Sequence, residues 1–184
     1  GDYDIVAVFF TSIGMNYAGL ASVGGSDLWV QDANNTGLYV HELGHNYGLG
    51  HASFWQTSDG SVVGAGTSDE YGDPFDLMGS GPASRGHFHP QGKARLNWLA
   101  TNQWTDVSAS GAGTYRVYRI DDGGTTNSPR GLRVTKSPTP GAEEYYWLGY
   151  RPAFSENDHL QRGAYLVWQR PGEVRSWLLD TTPG

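Results

Sequence analysis

The chain has 184 residues, enough for one domain with at most a small appendage, and carries a net charge of −7 from 12 basic and 19 acidic residues. No cluster of Lys or Arg offers a nucleic-acid surface, and no apolar run is long enough to cross a bilayer. Zero cysteines exclude disulfides and thiolate ligands, while 27 Gly, 7 Trp, 11 Tyr and 6 Phe describe a loop-rich β or α+β globule rather than a disordered chain.

Residues 4–11 (DIVAVFFT) are a nearly continuous apolar run and predict a buried strand, followed by a turn around Gly14 and Asn16. Residues 18–25 and 27–31 predict two short strands joined by the Gly24-Gly25 turn. Their small side chains let another backbone approach closely. Capping residues at 32–36 predict a helix beginning near 34–36 and ending at Tyr47 or Gly48.

That helix carries His41-Glu42-Leu43-Gly44-His45-Asn46-Tyr47-Gly48-Leu49-Gly50-His51, an H-E-x-x-H-x-x-G-x-x-H pattern. His41 and His45 lie one turn apart on one face, with Glu42 beside them, and Tyr39, Val40, Leu43 and Tyr47 form an apolar stripe on the other side. On a continuing helix His51 would lie about 9 Å further along the axis and well round from that face. The helix must therefore stop, and Gly48 is placed to stop it through the left-handed conformation. Three neutral imidazoles with an open fourth position make a catalytic site for one zinc ion. Zinc in such a site lowers the pKa of its water toward 7, and Glu42 is positioned as general base.

Residues 52–81 show little periodicity and many Gly, Ser and Asp, and predict a long ordered loop held by Phe54, Trp55, Tyr71, Phe75, Leu77 and Met78. Within it Asp69, Glu70, Asp73 and Asp76 are candidates for a Ca²⁺ site, or for bracing the loop through its backbone. His87 and His89 are candidates for a substrate pocket or second metal, against the plainer reading of a helix-entry feature. Residues 90–99 predict a short amphipathic helix with Ala94, Trp98 and Leu99 inward and Lys93 and Arg95 in water. Beyond a polar stretch at 101–113, strands are predicted at 114–120, 131–136, 144–151 and 164–170, with a last segment at 174–179. These describe a small antiparallel β-sandwich. Residues 121–124 read as a turn and His159 as a surface-loop residue.

The histidine pattern resembles that of the metzincin zinc metallopeptidases. Met78, in Asp76-Leu77-Met78-Gly79, stands where that superfamily carries its methionine turn. The segments Glu70-Tyr71-Gly72-Asp73 and Asp76-Leu77-Met78-Gly79, the helix ending in Asn97-Trp98-Leu99, and Tyr146-Trp147-Leu148-Gly149-Tyr150-Arg151 resemble the gametolysin-like peptidases and their bacterial relatives. The resemblance implies an α+β fold: a metzincin-like catalytic domain at 1–105 (twisted sheet, active-site helix, methionine turn, short C-terminal helix), then a β-rich module at 106–184. It implies His41, His45 and His51 as zinc ligands, Glu42 as general base, Met78 as the floor of the site, and Ala21, Ser22, Val23 and Gly24 in a substrate-edge strand. Ser80 stands where some metzincins place a tyrosine ligand, so no such switch is expected there. Only 40 residues precede His41, which suggests a processed or partial form, or a compact variant.

The expected activity is that of a secreted, monomeric zinc endopeptidase acting on extracellular proteins or peptides. The competing reading is an inactive metzincin-like domain that binds protein or glycan, for which Tyr115, Tyr118, Tyr145, Tyr146, Trp147 and Tyr150 supply aromatic surface.

Overall fold

The computed structural model describes residues 3–31, 35–82, 86–121, 128–154 and 158–183. The chain is α+β and mostly sheet: β1 (Val6–Phe9), β2 (Gly19–Ala21), β3 (Asp27–Val30), α1 (Thr36–Asn46), β4 (Ala52–Thr57), β5 (Gly66–Asp69), α2 (Pro90–Arg95), β6 (Trp104–Asp106), β7 (Gly131–Ser137), β8 (Glu144–Tyr150), α3 (Asp158–Arg162), β9 (Ala164–Gln169) and β10 (Ser176–Leu179).

The strands form two sheets, and α1 packs on the first of them. The first has the order β1-β3-β2, with β3 parallel to β1 and antiparallel to β2. Leu28 and Val30 alternate inward from β3 and are fully buried, whereas Val6 and Phe9 of β1 are each 51% exposed. The apolar run at 4–11 thus forms an edge strand rather than a buried one, because among the described residues only β3 pairs with it.

The second sheet has the order β5-β4-β10-β9-β8-β7-β6 and takes strands from both sides of the boundary expected near 105. It is a single mixed sheet instead of a sandwich: β10 runs parallel to β4, β6 parallel to β7, and the other neighbours are antiparallel. Alternation along its strands builds two cores. Trp147, Tyr165, Val167 and Leu178 pack with Phe154 and Leu160 on one face, and Trp168, Trp177 and Leu179 pack against Trp55, Tyr146 and Leu166 on the other.

Several expectations change. Residues 52–81 contain the β4–β5 hairpin, which the Gly, Ser and Asp composition conceals; pairing to β10 makes it a strand pair. Residues 114–120 form no strand and make only single backbone bonds, as from Tyr118 N to Pro129 O and from Ile120 N to Tyr150 O. α2 ends at Arg95, because Asn97 turns left-handed at φ 57; this leaves Trp98 52% exposed while Leu99 remains buried. Lys93, expected in water, is half-buried and donates to His87 Nδ1 at 2.6 Å. His159 is exposed as expected but stands on α3. Of the turn expected at 121–124, only Asp121 is among the described residues, and it accepts from Ala153 N at 2.8 Å.

Candidate metal centre

Helix α1 is built by local signals. Asn35 caps it, its side chain accepting from Leu38 N at 3.2 Å, and Gly48 ends it at φ 95. The buried positions are Glu42, Gly44, His45 and Asn46. The apolar stripe expected to bury is only half-covered at Tyr39, Val40 and Leu43, and Tyr47 is 50% exposed. The ligand face is the covered one, because α1 lies between the first sheet and the methionine segment.

The structure brings His41, His45 and His51 together, their ligand atoms within 4.8 Å of one another. Each Nδ1 is already committed: His41 to Leu77 O at 2.8 Å, His45 to Leu49 O at 2.9 Å, and His51 to Glu70 Oε1 at 2.7 Å. Carbonyl and carboxylate oxygens only accept, so each Nδ1 carries the proton and each Nε2 keeps its lone pair for a metal. Burial holds His41 down to about 4, with the neighbouring His45 and His51 adding to the effect, and burial lowers His45 too. Both are neutral ligands at neutral pH. The donor set fits zinc.

Glu42 is 4% exposed, and its burial raises its pKa to about 7. Above it, β2 approaches so closely that a Cβ on Gly19 would lie 2.5 Å from Glu42 Oε1. β2 is an edge strand, and Gln31 N donates to Ala18 O at 2.9 Å. Residues 18 and 31 thus form a hydrogen-bonded pair, so the next pair, Gly19 and Val30, is non-bonded and Gly19 turns its N–H and C=O outward. A cleft of about 550 Å³ opens there, lined by residues including Tyr17, Gly19, His41, Glu42, Tyr71 and Ser80.

The substrate edge expected at Ala21, Ser22, Val23 and Gly24 is not on this cleft. Ala21 ends β2 opposite Leu28. Residues 22–24 fold onto α1, with Gly24 N donating to His45 O at 2.7 Å and Asn46 Nδ2 to Ser22 O at 3.3 Å. Ala21 shares the outward parity of Gly19 and so lies on the same free edge, whereas residues 22–24 do not.

Met78 is 2% exposed and packs beneath α1, where a Cβ on Gly44 would come within 2.3 Å of its sulfur. Its segment braces the first and third histidines. Leu77 O receives His41, and Met78 O accepts from Ala52 N, directly after His51, at 2.8 Å. Asp76 fixes this segment by accepting from Met78 N at 2.8 Å and from His89 N at 2.6 Å.

The four acids considered for calcium do not converge. Glu70 serves His51, Asp76 serves the backbone, and Asp73 accepts from His89 Nε2 at 2.5 Å. The three histidines are the only such group of metal-binding side chains among the described residues. His87 and His89 separate as well, His87 facing Lys93 and His89 buried on Asp73. Sequence reasoning placed Gly19 in a strand of close approach but missed its contact with Glu42, which stands on a distant element. It also missed the bracing role of Glu70, whose acidity was read only with its neighbours.

Residues 9–71 match the family model described as Peptidase M66. The match covers about a third of the chain and includes all three histidines, Glu42 and β2. Over that stretch the chain is similar to peptidases of a metal-dependent kind. No curated protein and no solved structure matches the chain. No helix among the described residues is long and apolar enough to cross a membrane.

Proposed function

We propose that the chain is a zinc-dependent endopeptidase of metzincin type acting on extracellular proteins. One observation carries this reading: three imidazoles, each fixed through Nδ1 by an oxygen acceptor, converge beside a buried carboxylate at the wall of an open cleft. The family match over the same residues supports it.

A zinc ion held by His41, His45 and His51 supplies an acidified water and a Lewis acid for the scissile carbonyl. The chain does the rest. Glu42 accepts a proton at its carboxylate as the carbonyl carbon is attacked, then delivers it to the leaving nitrogen. Its burial raises its affinity for a proton, which suits its part as acceptor. The outward N–H and C=O of Gly19 pair with an extended substrate backbone as a further strand on β2. The apolar cluster of Leu49, Ala52, Leu77, Met78 and Phe88 holds the ligands from beneath.

The test is peptide cleavage by the full chain with and without a chelator, with metal content measured on the same sample. The wild type should contain one zinc per chain and lose cleavage on chelation. Glu42→Ala should retain its zinc and lose activity by roughly 10²–10⁴-fold, the usual contribution of a general base. Undiminished cleavage by Glu42→Ala would sink the assignment.

A further inference from the structure

The turn after β5 contains an unusual backbone beside the metal centre. Gly72 N donates to Asp69 O at 3.1 Å and closes a four-residue turn over 69–72. Its third residue, Tyr71, sits at φ 62, in a left-handed region that bulky side chains seldom enter. Glycine is the natural occupant of such a position and stands one residue later, at Gly72. Strain of this kind persists where the surroundings require the side chain it places.

Here the placement is specific. Successive side chains on extended backbone point to opposite sides, but the bend at Tyr71 brings two neighbours onto one imidazole. Glu70 Oε1 receives His51 Nδ1 at 2.7 Å, and the Tyr71 ring lies against His51 with centroids 4.0 Å apart. The His41 ring is 5.8 Å from the same phenol. Tyr71 remains 44% exposed and lines the cleft with Glu42. Its hydroxyl makes no hydrogen bond among the described residues. A buried tyrosine usually satisfies its hydroxyl within the protein, whereas this one is open to the cleft. This one presents a free donor to the space that an extended peptide would occupy.

The geometry points to Tyr71 as a further catalytic residue: its ring steadies His51, and its hydroxyl donates a hydrogen bond to the scissile carbonyl oxygen as that carbon becomes tetrahedral. The inference rests on the peptidase reading above. The phenol keeps its proton, and no bond is made or broken at Tyr71. It supplies a donor aimed at charge that grows on the oxygen, which favours the transition state over the bound substrate.

Two variants of the full chain test it. Tyr71→Phe keeps the ring and removes the donor; Tyr71→Asn keeps a residue that accepts the left-handed backbone and removes the ring as well. Each is measured for zinc content, for kcat and KM on a cleaved peptide, and for affinity toward a phosphinic peptide, whose tetrahedral oxyanion imitates the transition state. Affinity for the corresponding product peptide is the control. Tyr71→Phe should keep its zinc, hold KM within about twofold and lose roughly 10²–10³-fold in kcat, as removal of an oxyanion donor does elsewhere. Its affinity for the phosphinic peptide should fall in the same proportion and that for the product peptide should not change. Tyr71→Asn should show these losses and also release zinc more readily to a chelator. Wild-type kcat and undiminished phosphinic-peptide affinity in Tyr71→Phe would overturn the inference and leave the peptidase reading standing. A wild type without chelator-sensitive cleavage removes that reading, and the inference falls with it.

Discussion

Two of the three clustered histidines are braced by main-chain carbonyls, and only His51 is braced by a side chain, Glu70. That difference makes Glu70 the brace that mutation can reach. The pair is half in water, with the carboxylate side 57% exposed, so its Coulomb energy is screened and it contributes little to folding. On the proposed zinc reading its effect would be on the metal, because an oxygen on Nδ1 fixes the ring and raises the basicity of Nε2. Glu70→Ala should therefore leave the folded chain intact by circular dichroism and weaken zinc binding by about 10–100-fold, measured by competition with a chromogenic chelator. Unchanged zinc affinity would show that the turn after β5 holds His51 without it.

At the scale of elements, the site depends on how closely β2 and α1 approach. Gly19 is the contact, and a side chain there meets the buried Glu42 carboxylate, which must then move. Gly19→Ala should displace either the strand or the carboxylate, lowering kcat/KM at least tenfold, the scale of loss from sub-ångström misplacement of reacting groups. Zinc content should stay unchanged, since no ligand touches this methyl. A variant with normal kcat/KM would contradict the contact. The same comparison shows what the chain makes legible. The helical spacing of His41 and His45, the glycine stop at Gly48 and the cap at 34–36 are local signals, so α1 and its ligands can be read from sequence. The contact of Gly19 with Glu42 carries no local signal of its own, because the glutamate stands on another element. β4 and β5 are equally silent: a Ser- and Gly-rich stretch becomes a hairpin because residues 176–179 lie beside it. Trp98 and Lys93 follow the helical period, but α2 ends too soon for that period to govern Trp98.

Across the whole molecule, a buried polar network ties the methionine segment to the strands beyond residue 130. His89 and Asp73 are 1% and 0% exposed, Asp76 lies 3.8 Å from the same imidazole, and the His89 ring packs on Tyr165. Arg151, fully buried, donates to Phe75 O. Burial alone would lower His89, and Arg151 works the same way, but Asp73 and Asp76 outweigh both and raise it above 6.5. A histidine raised on folding contributes stability that is fully present below its unfolded pKa and is lost as pH rises through its folded one. Each unit of upward shift is worth about 1.4 kcal/mol. The melting temperature should therefore fall as pH climbs from about 6 into the alkaline range, by roughly 2–4 °C per kcal/mol lost, and His89→Gln should flatten that slope. Parallel slopes in the two proteins would exclude His89 as the titrating group.

The placement of β10 also has a consequence in time. Gly50 N donates to Val174 O at 2.9 Å and Ser176 N to His51 O at 3.3 Å, so the strand that steadies the third ligand is made long after the histidine it serves. A ribosome delivers His41, His45 and His51 together, yet the segment holding His51 gains its neighbour only once residue 179 has emerged. A growing chain therefore carries its three histidines well before it carries a finished centre, and on the peptidase reading competence waits until β10 has paired with β4.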